Sequence, residues 1–182
     1  MSEQLHQLIR HWRRERPDVD LDAAIIVAAI KLVDQRIEAE FRRLSAEFDI
    51  GAGDLRVLLA LRRSGVDRPL RPTDLFQSLI ISSGAVTKQV DRLEDKALVE
   101  RLPDPDYQRG FRVQLTPRGV EVADAAIEAL CSRRTSIGAA VAGLSDQERE
   151  LGKVFLETLL GKIGAPKEVA SSAEAWTAPP AT

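Results

Sequence analysis

Residues 70–119, LRPTDLFQSLIISSGAVTKQVDRLEDKALVERLPDPDYQRGFRVQLTPRG, decide the fold of this chain. Two short segments with helical spacing of apolar residues, about 72–80 and about 84–96, are separated only by Ile81, Ser82 and Ser83. Proline suits the first position of a helix, as at Pro72, and serine suits the N-cap of the helix that follows. Two short helices joined by a tight turn of small residues predict a helix-turn-helix.

The second of these helices has two distinct faces. Its apolar residues are spaced to pack into a core: Val86, Val90, Leu93 and Ala97. The opposite face is predicted to point outward: Ala85, Thr87, Lys88, Gln89 and Arg92. Such an outward face is either a binding surface or a solvated helix surface, and the pattern alone leaves both open.

Directly after this helix, the spacing of apolar residues changes from that of a helix to that of a strand. Residues 98–102 (LVERL) and residues 111–115 (FRVQL) are typical of short strands, the second with clear alternation of apolar and polar residues. The eight residues between them, PDPDYQRG, are rich in turn formers. A helix-turn-helix followed at once by a β-hairpin predicts a winged helix.

The flanking sequence predicts further helices on both sides. On the N-terminal side they cover about 4–16, 22–48 and 54–63, and the middle one carries an apolar seam with nearly heptad spacing. On the C-terminal side Thr116-Pro117 starts a long helix to about residue 144. A capping box, Ser145-Asp146-Gln147-Glu148, opens the last helix, to about residue 163. Residues 164–182, rich in Ala, Ser and Pro, are expected to be a disordered tail.

Composition narrows the class of protein. The 182 residues are 44% hydrophobic and 30% charged, with 26 Lys and Arg against 28 Asp and Glu, so no global positive charge favours nucleic acid. The longest apolar run, residues 23–30, is too short to cross a membrane. The single cysteine, Cys131, excludes an internal disulfide and is expected to be a packing residue. We therefore expect a mainly helical, cytoplasmic protein.

The sequence has few motifs that are typical of catalytic, phosphate-binding or metal-binding sites. The sequence contains no Ser/His/Asp constellation and no G-x-x-x-x-G-K phosphate loop. The two histidines, His6 and His11, are separated by about 140° around a helix and so do not share a metal-binding face. We expect neither an enzyme nor a cofactor or metal site.

Residues 70–119 resemble the winged-helix region of MarR-family transcriptional regulators. The resemblance rests on SSGAVT, DRLE, the LVER strand, DPD, Arg109-Gly110 and LTPRG at matching spacings. It implies one domain over residues 1–163, with the winged helix at about 54–119 and long dimerisation helices at about 4–48 and 117–163. It also implies a homodimer that reads a pseudo-palindromic duplex operator. An intramolecular helical bundle is the alternative for the long helices.

In a DNA-binding protein of this kind, the helix at 84–96 would enter the major groove. Gln can bond adenine, Lys can reach guanine and the Thr methyl can touch thymine, which makes Thr87, Lys88 and Gln89 candidate base readers. The remaining candidate DNA contacts are Ser82, Ser83, Arg92 and, at the wing tip, Arg109. The family's wing usually carries an anchoring aspartate two residues before that arginine, where this chain has Tyr107.

A narrower resemblance is to the urate-responsive, PecS-like branch of the family, whose ligand site uses a tryptophan, an aspartate and two arginines. Trp12 and Arg101 match the tryptophan and one arginine. Arg56 replaces the aspartate, and Gln89 replaces the other arginine. A pocket lined by Trp12, Arg56 and Arg101 would therefore be more cationic and would favour an anionic aromatic ligand. Alternatively, Trp12 only pins the first helix and Arg56 is exposed.

Together these observations predict a homodimeric repressor that a small molecule releases from DNA. Two other functions remain open. One is a winged helix used only for protein–protein contact, since a fold does not fix a function. The other is a DNA-binding regulator without ligand response. Salt-dependent binding to duplex DNA separates the first of these from a regulator.

Overall fold

The protein is described by a computed structural model that covers residues 3–79, 83–107 and 110–164. Its elements, in chain order, are α1 (Glu3–Glu15), α2 (Asp22–Glu47), α3 (Ala52–Ser64), α4 (Pro72–Ser78), α5 (Ser83–Asp95), β1 (Val99–Pro103), β2 (Phe111–Leu115), α6 (Pro117–Cys131), α7 (Ser136–Ala142) and α8 (Asp146–Ile163). The predicted fold class, mainly helical with a winged helix-turn-helix and one small hairpin, is confirmed. The chain forms two compact units, Met1–Ala140 and Val141–Thr182.

The core of the first unit is built around α3. Leu55 and Leu58 of this helix are fully buried, as are Leu75 of α4, Val90 of α5 and Val113 of β2. Every element of the winged helix thus contributes an apolar side chain to one cluster. Because α4, α5 and the hairpin all pack on α3, its position determines theirs.

The wing is an antiparallel hairpin in which Val99 pairs with Leu115 and Arg101 pairs with Val113. Leu70, in the segment before α4, extends the hairpin on its other side. Its N–H donates to the Val113 carbonyl at 3.0 Å, and it accepts a bond from the Val113 N–H at 2.8 Å. The start of the helix-turn-helix is therefore hydrogen-bonded to the wing.

The single helix expected from 117 to 144 is wrong, because the helix breaks between α6 and α7. Ser132 adopts an extended conformation (φ −81°, ψ 164°) that ends α6. The Thr135 hydroxyl then donates to the Leu130 carbonyl at 2.8 Å and accepts from the Gly138 N–H at 3.0 Å. Thr135 thus caps α7, and these side-chain bonds outweigh the apolar periodicity that continues across the break.

Ala97 also departs from its expected place in the core. The helix α5 ends at Asp95, and Ala97 is exposed in the turn to β1 with φ of +53°. This left-handed conformation strains a residue that carries a Cβ. The turn is held by the Ala97 N–H, which donates to the Glu94 carbonyl at 2.8 Å, and by the Thr116 hydroxyl, which donates to the Ala97 carbonyl at 2.8 Å.

The apolar seam of α2 is only partly covered within this chain. Leu44, near its C-terminal end, is buried, whereas Ile30 is 41% and Val33 is 55% exposed. In α1, Leu5 and Ile9 are buried. Around Ile30 and Val33, in the N-terminal half of this seam, α2 thus leaves apolar surface open to solvent.

The second unit contains α8. Its predicted capping box is confirmed, since the Ser145 hydroxyl accepts from the Glu148 N–H at 3.2 Å and the Glu148 carboxylate accepts from the Ser145 N–H at 2.8 Å. None of the α8 residues is buried. Its large exposed apolar residues are Leu151, Val154, Phe155, Leu156, Leu160 and Ile163.

The expected disordered tail, beyond Gly164, lies outside the described residues. Among the residues described, no helix combines the length and apolarity needed to span a bilayer.

Candidate nucleic-acid interface

The exposed face of α5 carries Thr87 and Lys88. Both residues are open to solvent. Lys88 forms no ion pair with any described residue, so its ammonium is available to an external partner. These are two of the three base readers that the sequence predicts, and the structure places them side by side at the surface.

Gln89, the third predicted reader, is not on this exposed face. Its residue exposure is 8%, and its side chain lies against Gly53 of α3. A Cβ added at Gly53 would be 2.2 Å from Gln89 Nε2. Gln89 Oε1 is buried and has no hydrogen-bond partner among the described residues. The absence of a side chain at Gly53 opens the space that Gln89 fills, which the pattern of α5 alone does not reveal.

Arg92 points towards α3 and pairs with Asp54. Its Nε lies 3.1 Å from Asp54 Oδ2, and its Nη2 lies 2.5 Å from Asp54 Oδ1. Asp54 is buried, and its Oδ2 also accepts from the Gly51 N–H at 3.0 Å. The hydrogen bond from Arg92 to Asp54 raises the pKa of the guanidinium. Arg92 is thus engaged within the protein, although half of its side chain remains exposed.

The base of the wing is held by an aspartate that the sequence reasoning did not single out. Asp104 is almost completely buried, and its carboxylate accepts from Arg71 Nε at 2.5 Å and from Arg112 Nε at 3.2 Å. It also accepts from the Asp106 N–H at 3.1 Å. The hydrogen bond from Arg71, supported by the Asp106 N–H and the charge of Arg112, holds the pKa of Asp104 below its ordinary value.

Asp106 completes this group, which we call the wing anchor: Arg71, Asp104, Asp106 and Arg112. Asp106 Oδ2 accepts from Arg71 Nη2 at 2.8 Å and from Arg112 Nη2 at 2.7 Å. The hairpin is thereby bonded to the residue that precedes α4. Tyr107, at the position where the resemblance places an anchoring aspartate, is exposed and is not part of the wing anchor. The DPD motif between Arg71 and Arg112 was the available signal.

Three of the predicted DNA contacts cannot be placed in the same detail. Ser82 and Arg109 lie outside the described residues. Ser83 is the first residue of α5, and the structure describes its backbone only.

The three predicted ligand residues occupy separate surroundings. Trp12 of α1 is 50% exposed and lines a shallow cleft on that helix. Arg56 of α3 bonds Glu38 at 2.5 Å and lies over the Phe41 ring, 4.5 Å from its centroid.

Arg101 of β1 pairs with two carboxylates of α5, Asp91 and Glu94. Its guanidinium also lies 4.6 Å from the centroid of the Phe111 ring. Each of the two arginines is thus neutralised by its own acidic neighbours within the chain.

Comparison with known proteins finds a family model and relatives to which this chain is similar. Residues 53–111, from α3 to the start of β2, match the family model described as MarR family. The HTH-type transcriptional regulator PecS of Dickeya dadantii is 24% identical over 160 residues, which cover 88% of this chain and 92% of that protein. The multiple antibiotic resistance protein MarR of Salmonella typhimurium is 34% identical over 95 residues, covering 52% of this chain and 64% of that protein.

A solved structure extends the match to a DNA complex. The crystal structure of a mutant MarR from E. coli complexed with operator DNA has a TM-score of 0.63 and 28% sequence identity. The similarity covers 78% of this chain and 99% of that one.

Proposed function

The chain is a MarR-family winged-helix protein and not an enzyme, and on that premise we propose that it is a sequence-specific, duplex-DNA-binding transcriptional repressor. The observation that carries the proposal is a pair of exposed side chains on α5, Thr87 and Lys88, of which Lys88 has no ion-pair partner among the described residues, together with a wing whose base is held by ion pairs. An exposed ammonium without an ion-pair partner in the described part of the chain, on a helix of this fold, is suited to the major groove.

Direct base reading is assigned to Thr87 and Lys88. The Thr methyl contacts a thymine methyl, and the Lys ammonium reaches guanine O6 or N7. Ser82, which precedes α5 in the sequence, and Ser83, its first residue, are proposed phosphate contacts, and Arg109, between β1 and β2 in the sequence, is proposed to enter an A·T-rich minor groove. Gln89 and Arg92 are not assigned to base reading, because Gln89 is buried and Arg92 is bonded to Asp54.

We propose that the repressor is a homodimer. The support comes from apolar surface that the chain leaves open: the N-terminal half of the α2 seam and six large apolar residues of α8. Exposed apolar area of this extent is typical of an interaction surface. A twofold axis then presents two α5 helices to half-sites about 34–36 Å apart.

The proposed effector is a small anionic aromatic molecule. Trp12 offers an exposed aromatic face, and Arg56 and Arg101 offer guanidiniums whose present partners are Glu38, Asp91 and Glu94. A ligand carboxylate or urate-like anion would bind by replacing such an acidic partner. Since Arg101 is bonded to α5, its release would change the position of that helix and shift the population away from the DNA-binding state.

Selection of bound sequences from a random duplex pool, at two salt concentrations, tests DNA recognition. We expect a pseudo-palindromic motif and an affinity that falls steeply with salt, because bound phosphates release counterions. A Lys88→Ala variant should lose discrimination at one or two base positions, and Lys31→Ala, on α2, is the matched removal of one charge. Weak, motif-free binding that is insensitive to salt would instead favour a protein–protein contact module.

Effector response is tested by titrating the protein–operator complex with benzoate, salicylate and urate. We expect at least one of these anions to lower the affinity for the operator, and Arg101→Gln to reduce that response. If none of the three anions changes the operator affinity or binds to the free protein, the proposed effector is refuted. The protein would then be a DNA-binding regulator that does not respond to this class of ligand.

A further inference from the structure

The N-terminal turn of α3 meets α5 at a contact in which Asp54 and Gln89 are buried, whereas half of the Arg92 side chain is exposed. We infer that four residues there, Gly53, Asp54, Gln89 and Arg92, set the orientation of α5 and act on operator discrimination without touching DNA. We call this group the α3–α5 seat. The inference rests on the proposed DNA-binding function and deepens it by assigning positioning residues to the same site.

Close approach is the first component of the seat. Gly53 leaves no room for a side chain, since an added Cβ would lie 2.2 Å from Gln89 Nε2 and 3.0 Å from Gln89 Cδ. The Gln89 amide is enclosed, with a residue exposure of 8% and an Oε1 atom that has no partner among the described residues. Gln89 Oε1 thus contributes no hydrogen bond among the described residues, and what the structure shows between Gln89 and Gly53 is close packing.

A bidentate ion pair is the second component. Two guanidinium nitrogens of Arg92 meet the two carboxylate oxygens of Asp54, at 2.5 Å and 3.1 Å. This fork geometry fixes direction as well as distance. Asp54 is itself immobilised by the Gly51 N–H and by its burial at the start of α3. Because the core is built around α3, this ion pair ties the orientation of α5 to the central helix of the unit.

The placement of the seat on α5 explains how it acts on base reading. Gln89 follows Thr87 and Lys88 directly, and Arg92 lies one helical turn after Lys88. Any rotation of α5 that loosens the seat therefore moves Thr87 and Lys88 by a comparable angle. Bidentate and methyl contacts to base edges depend on geometry, whereas phosphate attraction tolerates small movements. Loss of the seat should thus lower specific binding more than non-specific binding.

Asp54→Asn and Arg92→Gln test the ion pair. The asparagine retains an oxygen for the Gly51 N–H and removes the charge that orients Arg92. We expect both variants to lower the ratio of specific to non-specific DNA affinity about tenfold and to leave the salt slope unchanged. If Arg92 instead contacted phosphate, Arg92→Gln would reduce the slope by about 2 for a dimer, and Asp54→Asn would leave discrimination intact. That result overturns the inference.

Gly53→Ala tests the close approach, and Gly53→Ala/Gln89→Ala is its matched control. The single change should lower the specificity ratio at least fivefold, and truncation of Gln89 should restore most of it by vacating the space. Equal specificity for Gly53→Ala and the unmodified protein would show that Gln89 moves aside freely, which refutes this component.

Amide hydrogen exchange in the free protein separates failure of the seat from failure of the proposed function. We expect Asp54→Asn and Arg92→Gln to increase exchange over α5 (Ser83–Asp95) more than over α6 (Pro117–Cys131). Unchanged exchange over α5 overturns the seat, whatever the DNA measurements give. Increased exchange over α5 in a protein that binds no DNA would retain the seat as a positioning contact of α5 and refute the proposed function.

Discussion

Gly119 offers a quantitative test of how α6 is joined to the wing. A Cβ at this position would lie 1.9 Å from the Leu98 carbonyl oxygen, 2.9 Å from the Leu98 carbonyl carbon and 3.2 Å from Leu115 Cδ2. The obstacle is backbone, so relief requires α6 and the start of the hairpin to separate by roughly 1 Å or more. The same carbonyl accepts from the Thr116 N–H at 3.1 Å, and separation strains that bond too.

These contacts allow an estimate of how much Gly119→Ala changes the free energy of unfolding. Replacing a helical glycine by alanine ordinarily stabilises by about 1 kcal/mol. Overpacking against a fixed neighbour costs about 1–3 kcal/mol, and a weakened backbone hydrogen bond costs about 1 kcal/mol. We therefore expect the free energy of unfolding to fall by about 2 kcal/mol, measured by urea denaturation at fixed protein concentration.

Gly152→Ala in α8 is the matched control, because, apart from its chain neighbours and the adjacent backbone of α8, no described atom lies within 4 Å of the added Cβ. This variant should gain about 0.5–1 kcal/mol from helix propensity alone. Opposite signs for the two changes would confirm the reasoning. Equal or greater stability of Gly119→Ala compared with the unmodified protein would refute the close approach of α6 to Leu98.

Three further outcomes are expected. Ala97→Gly should raise the free energy of unfolding by about 0.5–1 kcal/mol in urea denaturation, because Ala97 is exposed and held at φ of +53°; a loss of stability would contradict the strain. Since the folded pKa of Asp104 is lowered, its stabilisation of the wing is present above the ordinary carboxyl pKa of about 3.9 and is lost as the pH falls through the lowered value. Hydrogen exchange over β1 and β2, corrected for intrinsic rates, should therefore stay constant from about pH 7 to 5 and rise below about pH 4, and Asp104→Asn should lack this transition. Leu160→Glu, at a position that is 69% exposed on α8, should convert a dimer to a monomer in light scattering; a persistent dimer would exclude this face from the interface.

The sequence predicted those parts of the fold that depend on local patterns. The apolar spacing of α3, the Thr116-Pro117 restart and the Ser145 capping box each involve residues within one or two turns of one another. The break between α6 and α7 was missed although its capping residue, Thr135, is also local. Apolar periodicity continued across it, and periodicity does not record where a hydroxyl competes for backbone bonds.

The candidate site was predicted only where exposure follows from helical position. Thr87 and Lys88 lie on the surface as the pattern of α5 indicates. Gln89 does not, because the space it enters is created by Gly53 on another helix. The wing anchor was missed for a similar reason, since Arg71 and Asp104 are 33 residues apart and meet only in the folded chain.

The wing anchor also determines what can be exchanged between relatives. Arg71 supplies bonds to both Asp104 and Asp106, yet it precedes α4 and lies outside the hairpin. The hairpin segment, residues 99–115, therefore lacks one of the residues that hold its own base. Consider a chimera that receives this hairpin but has no arginine directly before its own helix α4. Its buried Asp104 carboxylate then has only one of its two arginine partners, Arg112. Transfer of this wing to a related protein must therefore carry both segments together.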